Sequence, residues 1–200
     1  MIKKEGYYFG TTLEGWARMA EVRASYFREP AAVATIAPCH VLWPEGALTK
    51  VEVLAMRELW GFDKYIPRED SWPKSVWDWP IPVPYRQGSR LRGMIWAGGQ
   101  VPWEPGTNTG KVVHPGDLPA QTRLCIGHIE AILNGFDATS ADLSLLVCYF
   151  TSTGTEAETR RFVEAVADAV SGPLPPMTTI PQPHMHAGGM GVEIWGVAQA

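Results

Sequence analysis

Residues 83–102 bring together side chains that could bind a small molecule. Tyr85 carries a hydroxyl and Gln100 an amide, and both groups donate and accept hydrogen bonds. Gly98 and Gly99 end an apolar run, and adjacent glycines let a backbone bend or approach another group closely. We interpret these residues as one wall of a small-molecule pocket. The alternative is a plain hairpin with a β-bulge.

Two histidines near the C-terminus invite a metal interpretation. His184 and His186 are two residues apart, so on a strand they would face the same side and, with Glu193, would suit a metal ion. The prolines and glycines that flank them favour a loop, and we predict no metal site and no cofactor. Cys148 lies in an apolar run with no histidine beside it, which favours a buried thiol over a nucleophile.

The composition limits the classes of function. The chain has 200 residues, of which 46% are hydrophobic, enough for one large domain with a core. Its formal net charge of −4 does not favour nucleic-acid binding or ribonuclease activity. No apolar run is long enough to cross a membrane, and the first residues lack a signal-peptide core. Three cysteines without metal spacing fit a reducing compartment, so we predict a cytoplasmic protein.

Hydrophobic periodicity and punctuation by glycine and proline predict an α+β chain. Asp117 is a good N-cap and Gly135 a good C-terminal glycine for one helix. Residues 59–82 are rich in proline and tryptophan, which predicts a linker that packs on a surface. The predicted strands cover 4–12, 31–37, 48–56, 111–114, 143–150, 177–180 and 191–197, and the other predicted helices cover 13–28 and 155–170.

An internal repeat runs through this order of elements. Tyr8 precedes Tyr149 by 141 residues, and Glu52, between two valines, precedes Glu193 by the same number. Each pair brackets a strand, a helix and two further strands. A repeat of this length is a whole domain, so residues 1–57 are interpreted as the last part of a first domain.

The motifs of residues 83–102 resemble a known family. Pro84-Tyr85-x-Gln87-Gly88, Gly93-Met94-Ile95 and Gly99-Gln100-x-Pro102 resemble the opening hairpin of the Rid/YjgF family of enamine/imine deaminases. The resemblance implies a chorismate mutase-like fold, in which a mixed sheet carries two helices on one face. It also implies trimeric, pseudo-trimeric or hexameric assembly, with the pocket in a cleft between subunits.

The domain boundaries follow from the resemblance and the repeat together. Residues 83–200 form a complete Rid-like domain, residues 58–82 a linker, and residues 1–57 a partial repeat. A truncated sheet exposes its edges and half a core, so we expect the chain to pair with further copies or with a partner chain.

The resemblance also assigns roles to individual residues. Glu193 matches the last-strand glutamate that positions or activates water, and Tyr85 matches the tyrosine that orients the substrate. A carboxylate with a raised pKa would suit imine hydrolysis, which needs a proton on nitrogen and a water beside the carbon. The alternative for Glu193 is a surface residue on an edge strand. The substrate-binding set comprises Gly98, Gly99, Gln100, Tyr149, Thr178 and Thr179.

One family feature is absent. The arginine that holds the substrate carboxylate should lie in residues 173–180, where Met177 stands instead, and no arginine follows Arg161. A thioether cannot replace a bidentate guanidinium. We therefore predict a divergent enzyme acting on an enamine, an imine or a related unsaturated molecule, for example in secondary metabolism. The alternative is a non-catalytic ligand-binding or structural subunit.

Overall fold

Two sheets and three α-helices organise the part of the chain that the structure describes. The structure, a computed structural model, describes residues 3–8, 13–27, 31–39, 42–55 and 68–200. The elements are β1 (Lys3–Tyr8), α1 (Leu13–Tyr26), β2 (Val33–Pro38), β3 (Thr49–Leu54), β4 (Glu69–Ser71), β5 (Gly88–Leu91), β6 (Met94–Gln100), α2 (Leu118–Asn134), β7 (Leu143–Thr151), α3 (Glu156–Ala169), β8 (Met177–Gln182) and β9 (Val192–Gln199). Residues 9–12 of the predicted first strand and residues 56–67, which include part of the predicted linker, lie outside the described residues.

The larger sheet is mixed and has the strand order β4-β5-β6-β9-β7-β8. Only β7 and β8 pair in parallel among its ladders, and α3 provides the crossover between them. Helix α2 packs on one face of the sheet, so closely that a Cβ on Gly88 would collide with Ile132. The α+β class and the mixed sheet predicted from the sequence are confirmed.

Local sequence explains where the helices begin and end. Asp117 caps α2 by accepting a hydrogen bond from the Ala120 amide at 3.0 Å, and the helix stops before Gly135. Helix α3 begins with a capping box between Thr155 and Glu158, which satisfies two amides of the first turn. Most of the stability of α2 comes from packing of its apolar side, because that side carries Ile129 and Ile132, both 0% exposed.

The smaller sheet has the order β2-β1-β3, and its pairs have the same directions as those of β8-β7-β9. The registers differ, however. Tyr149 pairs with Glu193, whereas Tyr8 pairs with Thr49 and Glu52 pairs with Glu5. Glu52 is therefore three residues away from the ladder position that Glu193 occupies. The equal spacing in sequence does not make the two glutamates structurally equivalent.

Strand β2 packs against β6 of the larger sheet. The Arg86 amide donates a hydrogen bond to the Ala32 carbonyl at 3.1 Å, and Val33 forms an isolated bridge with Arg86. A Cβ on Gly98 would lie 2.9 Å from the Ala34 carbonyl oxygen, closer than side chains tolerate. Gly98 is thus needed for the close approach of β2, which joins the two sheets.

Two sequence predictions near the hairpin need correction. The predicted turn from Gly88 to Gly93 is mostly strand β5, and the turn itself is confined to Arg92 and Gly93, whose φ angles are 53° and 74°. The predicted strand 111–114 is reduced to a single bridge between Trp103 and Val112.

The second half of the predicted linker is part of the domain. Its residues from 68 onward include β4, which pairs with β5. Val76 and Trp77 are 3% and 2% exposed and belong to the main core. No helix among the described residues has the length and apolar character needed to span a membrane.

Candidate functional site

Glu193 lies in the interior of the protein. Its strand β9 runs between β6 and β7, so the alternative of an exposed residue on an edge strand is wrong. The side chain is 3% exposed, and its Oε1 accepts a hydrogen bond from the Ile36 amide of β2 at 3.3 Å. A Cβ on Gly99 would collide with the same oxygen, so the carboxylate occupies space that the glycine leaves.

The Glu193 carboxylate faces a small cavity between the two sheets. The cavity has a volume of about 10 Å³ and can accommodate about one water molecule. The surrounding residues come from β2, from the segment before β5 and from the larger sheet: Ala34, Ile36, Trp77, Trp79, Tyr85, Gln87, Gly99, Val101, His186 and Glu193. The cavity therefore places a carboxylate, a phenol, an amide and an imidazole around the space of a single water.

Tyr85 is held in one orientation by hydrogen bonds. Its hydroxyl donates to Asp78 Oδ1 at 2.9 Å and accepts from Gln87 Nε2 at 3.3 Å. Burial and the neighbouring Asp78 charge raise the pKa of the Tyr85 hydroxyl far above its ordinary value. Tyr85 is therefore a neutral hydrogen-bonding group at physiological pH and does not act as a base there.

Gln100 lies behind the cavity and does not line it. Its Nε2 donates to Gln87 Oε1 at 2.8 Å, and Gln87 Nε2 in turn donates to the Trp77 carbonyl at 2.7 Å. Gln87 was not among the predicted binding residues, although its amide lies in the motif that carries the resemblance. Gln100 thus orients Gln87, and Gln87 faces the cavity.

Four other residues predicted to bind substrate lie away from the cavity. Gly98 contacts the backbone of β2. Tyr149 pairs with Glu193 across the sheet but is 1% exposed and does not line the cavity. Thr178 and Thr179 lie on β8, the outermost strand, and β7 separates them from β9.

His186 lines the cavity, but its sequence context had suggested only a metal ligand. Neither ring nitrogen has a hydrogen-bond partner among the described residues, and burial lowers the pKa of His186 to about 4. The imidazole is therefore neutral at physiological pH. His184, by contrast, is exposed, and no three His, Cys, Asp or Glu side chains of the described ranges could together hold a metal ion.

The cysteines are poor candidates for a nucleophile. Cys125 and Cys148 are both 0% exposed. Burial raises the pKa of each thiol, and the Glu193 charge raises that of Cys125 further. Thiols held in the protonated form are weak nucleophiles.

A second, open cleft adjoins the small cavity. It has a volume of about 390 Å³, and Trp79 and Tyr85 line both spaces. The remaining lining residues are Trp72, Asp78, Pro80, Ile81, Pro82, Val83 and Asn108. The cleft and the Glu193 cavity are therefore neighbours that share these two side chains.

The arginines of the opening hairpin have other partners. Arg86 forms an ion pair with Asp70 at 3.1 Å and donates to the Tyr85 carbonyl. Arg90 donates to Glu69 at 2.5 Å and to the Phe136 carbonyl at 2.8 Å. Neither arginine lines the cavity or the cleft, so they do not replace the missing carboxylate-binding arginine.

Residues 80–200 match the family model described as Endoribonuclease L-PSP. Similar solved structures include the protein of unknown function YyfA of the conserved Rid protein family from Yersinia pestis, with 24% identity and a TM-score of 0.53 over 67% of this chain and 100% of that one. A putative endoribonuclease from Thermotoga maritima has 19% identity and a TM-score of 0.55, over 66% of this chain and 97% of that one. RidA from the Antarctic bacterium Psychrobacter has 16% identity and a TM-score of 0.55, over 66% of this chain and 99% of that one.

These solved structures are matched over nearly their whole length but cover only two thirds of this chain. At such identities the likeness concerns the fold alone. No curated protein matches this sequence closely enough to count as a relative.

Proposed function

Because the chain belongs to the Endoribonuclease L-PSP family, which is the Rid/YjgF family, we propose that it hydrolyses an enamine or imine at the Glu193 cavity. One observation carries the proposal: a buried carboxylate faces a cavity with room for about one water molecule. The reaction needs a water held beside the substrate carbon and a group that moves its protons. Glu193 is the group of this cavity best suited to both tasks.

The proposed steps conserve atoms and charge. Glu193 accepts a proton from water while the water oxygen forms a bond to the carbon of the protonated imine. The resulting amino alcohol takes a proton on nitrogen from Glu193, its C–N bond breaks, and ammonia leaves while the Glu193 carboxylate accepts the hydroxyl proton as the carbonyl group forms. Glu193 then passes this proton to the departing ammonia, which is released as ammonium, and is again a carboxylate. Tyr85 and Gln87 orient the substrate through hydrogen bonds, and the neutral imidazole of His186 offers a further acceptor or donor.

Access of a substrate to this water requires a rearrangement. The cavity of about 10 Å³ is too small for an organic molecule, whereas the outer cleft of about 390 Å³ is large enough for one. We therefore place the substrate in the outer cleft, with its reactive carbon reaching the cavity when the Trp79 side chain turns aside.

Ammonia release from enzymatically generated imines tests the proposal. Glu193→Gln should lower the rate by about 100-fold or more, because it removes the proton acceptor and keeps the shape of the side chain. Glu156→Gln changes an exposed carboxylate of α3 and should have no effect. A wild-type rate no higher than the uncatalysed background, with imines both bearing and lacking a carboxylate, would contradict the hydrolase proposal.

A second function is favoured by a specific observation. The described cavity is nearly closed, and the sequence has no arginine after Arg161. These features suit a ligand-binding or structural subunit that performs no chemistry. The same experiment separates the two functions, because such a subunit would bind ligand in the outer cleft without releasing ammonia.

A further inference from the structure

The outer cleft combines aromatic rings with a carboxylate. Trp72 and Tyr85 have ring centroids 4.6 Å apart at an interplanar angle of 63°, and Trp79 meets Tyr85 at 5.9 Å and 88°. Rings that meet at steep angles form a corner, in which a compact ligand can contact more than one ring. Organic cations are attracted to such arrangements by the negative faces of the rings.

Asp78 is the charged side chain that lines this cleft. Its Oδ1 accepts hydrogen bonds from the Trp79 amide at 2.6 Å and from the Tyr85 hydroxyl at 2.9 Å, which fix the carboxylate beside the rings. Among residues 68–200 and the other described ranges, no lysine or arginine forms an ion pair with it. The cleft therefore contains an oriented negative charge that a cation would balance.

The nearby positive charges are directed elsewhere. Arg86 lies 5.8 Å from the centre of the Trp72 ring, but Asp70 pairs with it at 3.1 Å. The buried guanidinium of Arg23 donates to the Pro84 carbonyl at 2.8 Å and does not line the cleft. Both arginines weaken the attraction for a cation, and neither lines the cleft.

We propose that this cleft binds a small organic cation with an alkylated ammonium or iminium centre, using Asp78 as counter-ion and Trp72 and Trp79 as ring contacts. In the iminium form the ligand is a protonated imine, so this identity of the substrate rests on the proposed function. The cleft then selects imines that lack a carboxylate. This selection accounts for the missing arginine, since such substrates have no anion to hold.

Binding of tetramethylammonium tests the proposal without any turnover. Tryptophan fluorescence and calorimetry should give saturable binding to the full chain, which sodium chloride at equal ionic strength and the neutral isostere tert-butanol do not reproduce. Asp78→Asn should weaken binding at least about fivefold and Trp72→Leu about two- to fivefold. Asp168→Asn, the same change on the exposed side of α3, should leave binding unchanged.

Circular dichroism confirms that each variant is folded, and Trp72→Leu keeps the test decisive if Asp78→Asn does not fold. Absence of saturable binding, equal binding of tert-butanol, or undiminished binding by both cleft variants would overturn the proposal. Glu193→Gln should retain tetramethylammonium binding, because Glu193 does not line the cleft. Loss of ammonia release and loss of cation binding are thus separate outcomes.

Discussion

Glu193 owes its position to two glycine-dependent contacts, both made by neighbouring residues of β6. Gly98 lets the β2 backbone approach β6. Gly99 leaves space for the Glu193 carboxylate, which accepts a hydrogen bond from the Ile36 amide. A buried carboxylate is costly unless hydrogen bonds compensate for lost solvation. The site therefore depends on residues without side chains as much as on the carboxylate itself.

Gly99→Ala should displace the Glu193 carboxylate. The added methyl group would occupy the space of Oε1 and lie 3.0 Å from the Thr35 Cγ2. We expect ammonia release to fall by about 100-fold, since small displacements of a reacting group have effects of that size. The measurement is the rate of ammonia release by the folded variant and by the wild type at equal protein concentration.

Gly127→Ala is the matched control. Gly127 lies on the exposed side of α2, and an added Cβ would have nothing within 4 Å. Alanine should stabilise the helix by about 0.5–1 kcal/mol and leave the rate unchanged. Equal rates for both alanine variants would contradict the role of Gly99.

His128 should make the stability of the fold depend on pH. The side chain is 4% exposed on α2, and burial lowers its pKa to about 4. The unfolded chain therefore binds more protons than the folded chain between pH 4 and 6.5. The neutral histidine therefore contributes its full stabilisation above pH 6.5, and this contribution is lost as the pH falls. We expect the free energy of unfolding to decrease by about 2 kcal/mol between pH 7.5 and pH 5.

Urea unfolding at the two pH values measures this effect. His128→Leu should remove that part of the decrease whatever its effect on absolute stability, whereas exposed His184→Gln should preserve the decrease. A pH dependence identical in wild type and His128→Leu would show that the histidine is protonated equally in both states.

At the scale of single residues, the sequence predicts which residues belong to the candidate site better than it predicts what surrounds their side chains. Tyr85, Gly99 and Glu193 were predicted from motif positions, and the structure places all three at one cavity. His186 and Trp79 were missed because their role depends on how a loop and a proline-rich segment fold back. The period of two along β9 gives the side on which Glu193 lies but does not reveal that another sheet covers that side.

The elements were predictable where the sequence carries both a cap and a periodic apolar face. Asp117 and Thr155 mark the starts of α2 and α3, and both helices form there. Residues 68–82 show the limit of this reasoning. Their prolines exclude a helix, but the three-residue strand β4 and the burial of Trp77 depend on distant partners.

Strand β2 is the element whose position can be tested most directly. Gly98→Ala would place a methyl group 2.9 Å from the Ala34 carbonyl oxygen and should push β2 away from β6. We expect a destabilisation of about 1–3 kcal/mol. We also expect faster hydrogen exchange of the Arg86 amide, which donates to Ala32 across this contact.

Gly188→Ala provides the control for this change. An added Cβ there would have nothing within 4 Å, so exchange of the Arg86 amide should stay as in the wild type. Unchanged exchange in Gly98→Ala would mean that β2 does not require the glycine for its approach.

The whole molecule combines the larger sheet, most of which lies in the residues that match the family model, with a smaller sheet whose strands pair in the same directions as β8-β7-β9. A groove of about 460 Å³ remains between them, with Trp96 and Trp195 on one side and β3 on the other. Val51 and Val53 of β3 are 51% and 53% exposed. Apolar side chains on an outer strand favour pairing with another chain, so the pairing expected from the truncated repeat stays a prediction that can be tested.

Light scattering after size exclusion should therefore give a mass that is a multiple of 22.0 kDa. Val53→Lys should lower that mass by placing a charge on the exposed strand, whereas Val22→Lys on α1 should not. A monodisperse monomer at every concentration would contradict the prediction.

The indole of Trp79 lines both the small cavity and the outer cleft, and the two spaces place opposite requirements on its size. It lines the small cavity beside Glu193, which has room for about one water molecule, and it also lines the outer cleft in which we place the substrate. A smaller side chain would speed exchange between the two spaces but would admit bulk solvent to the carboxylate. Substrate entry and exclusion of bulk solvent therefore place opposite requirements on the size of this one side chain. We expect few residue types to be compatible with position 79, although Trp79 itself donates and accepts no proton in the proposed reaction.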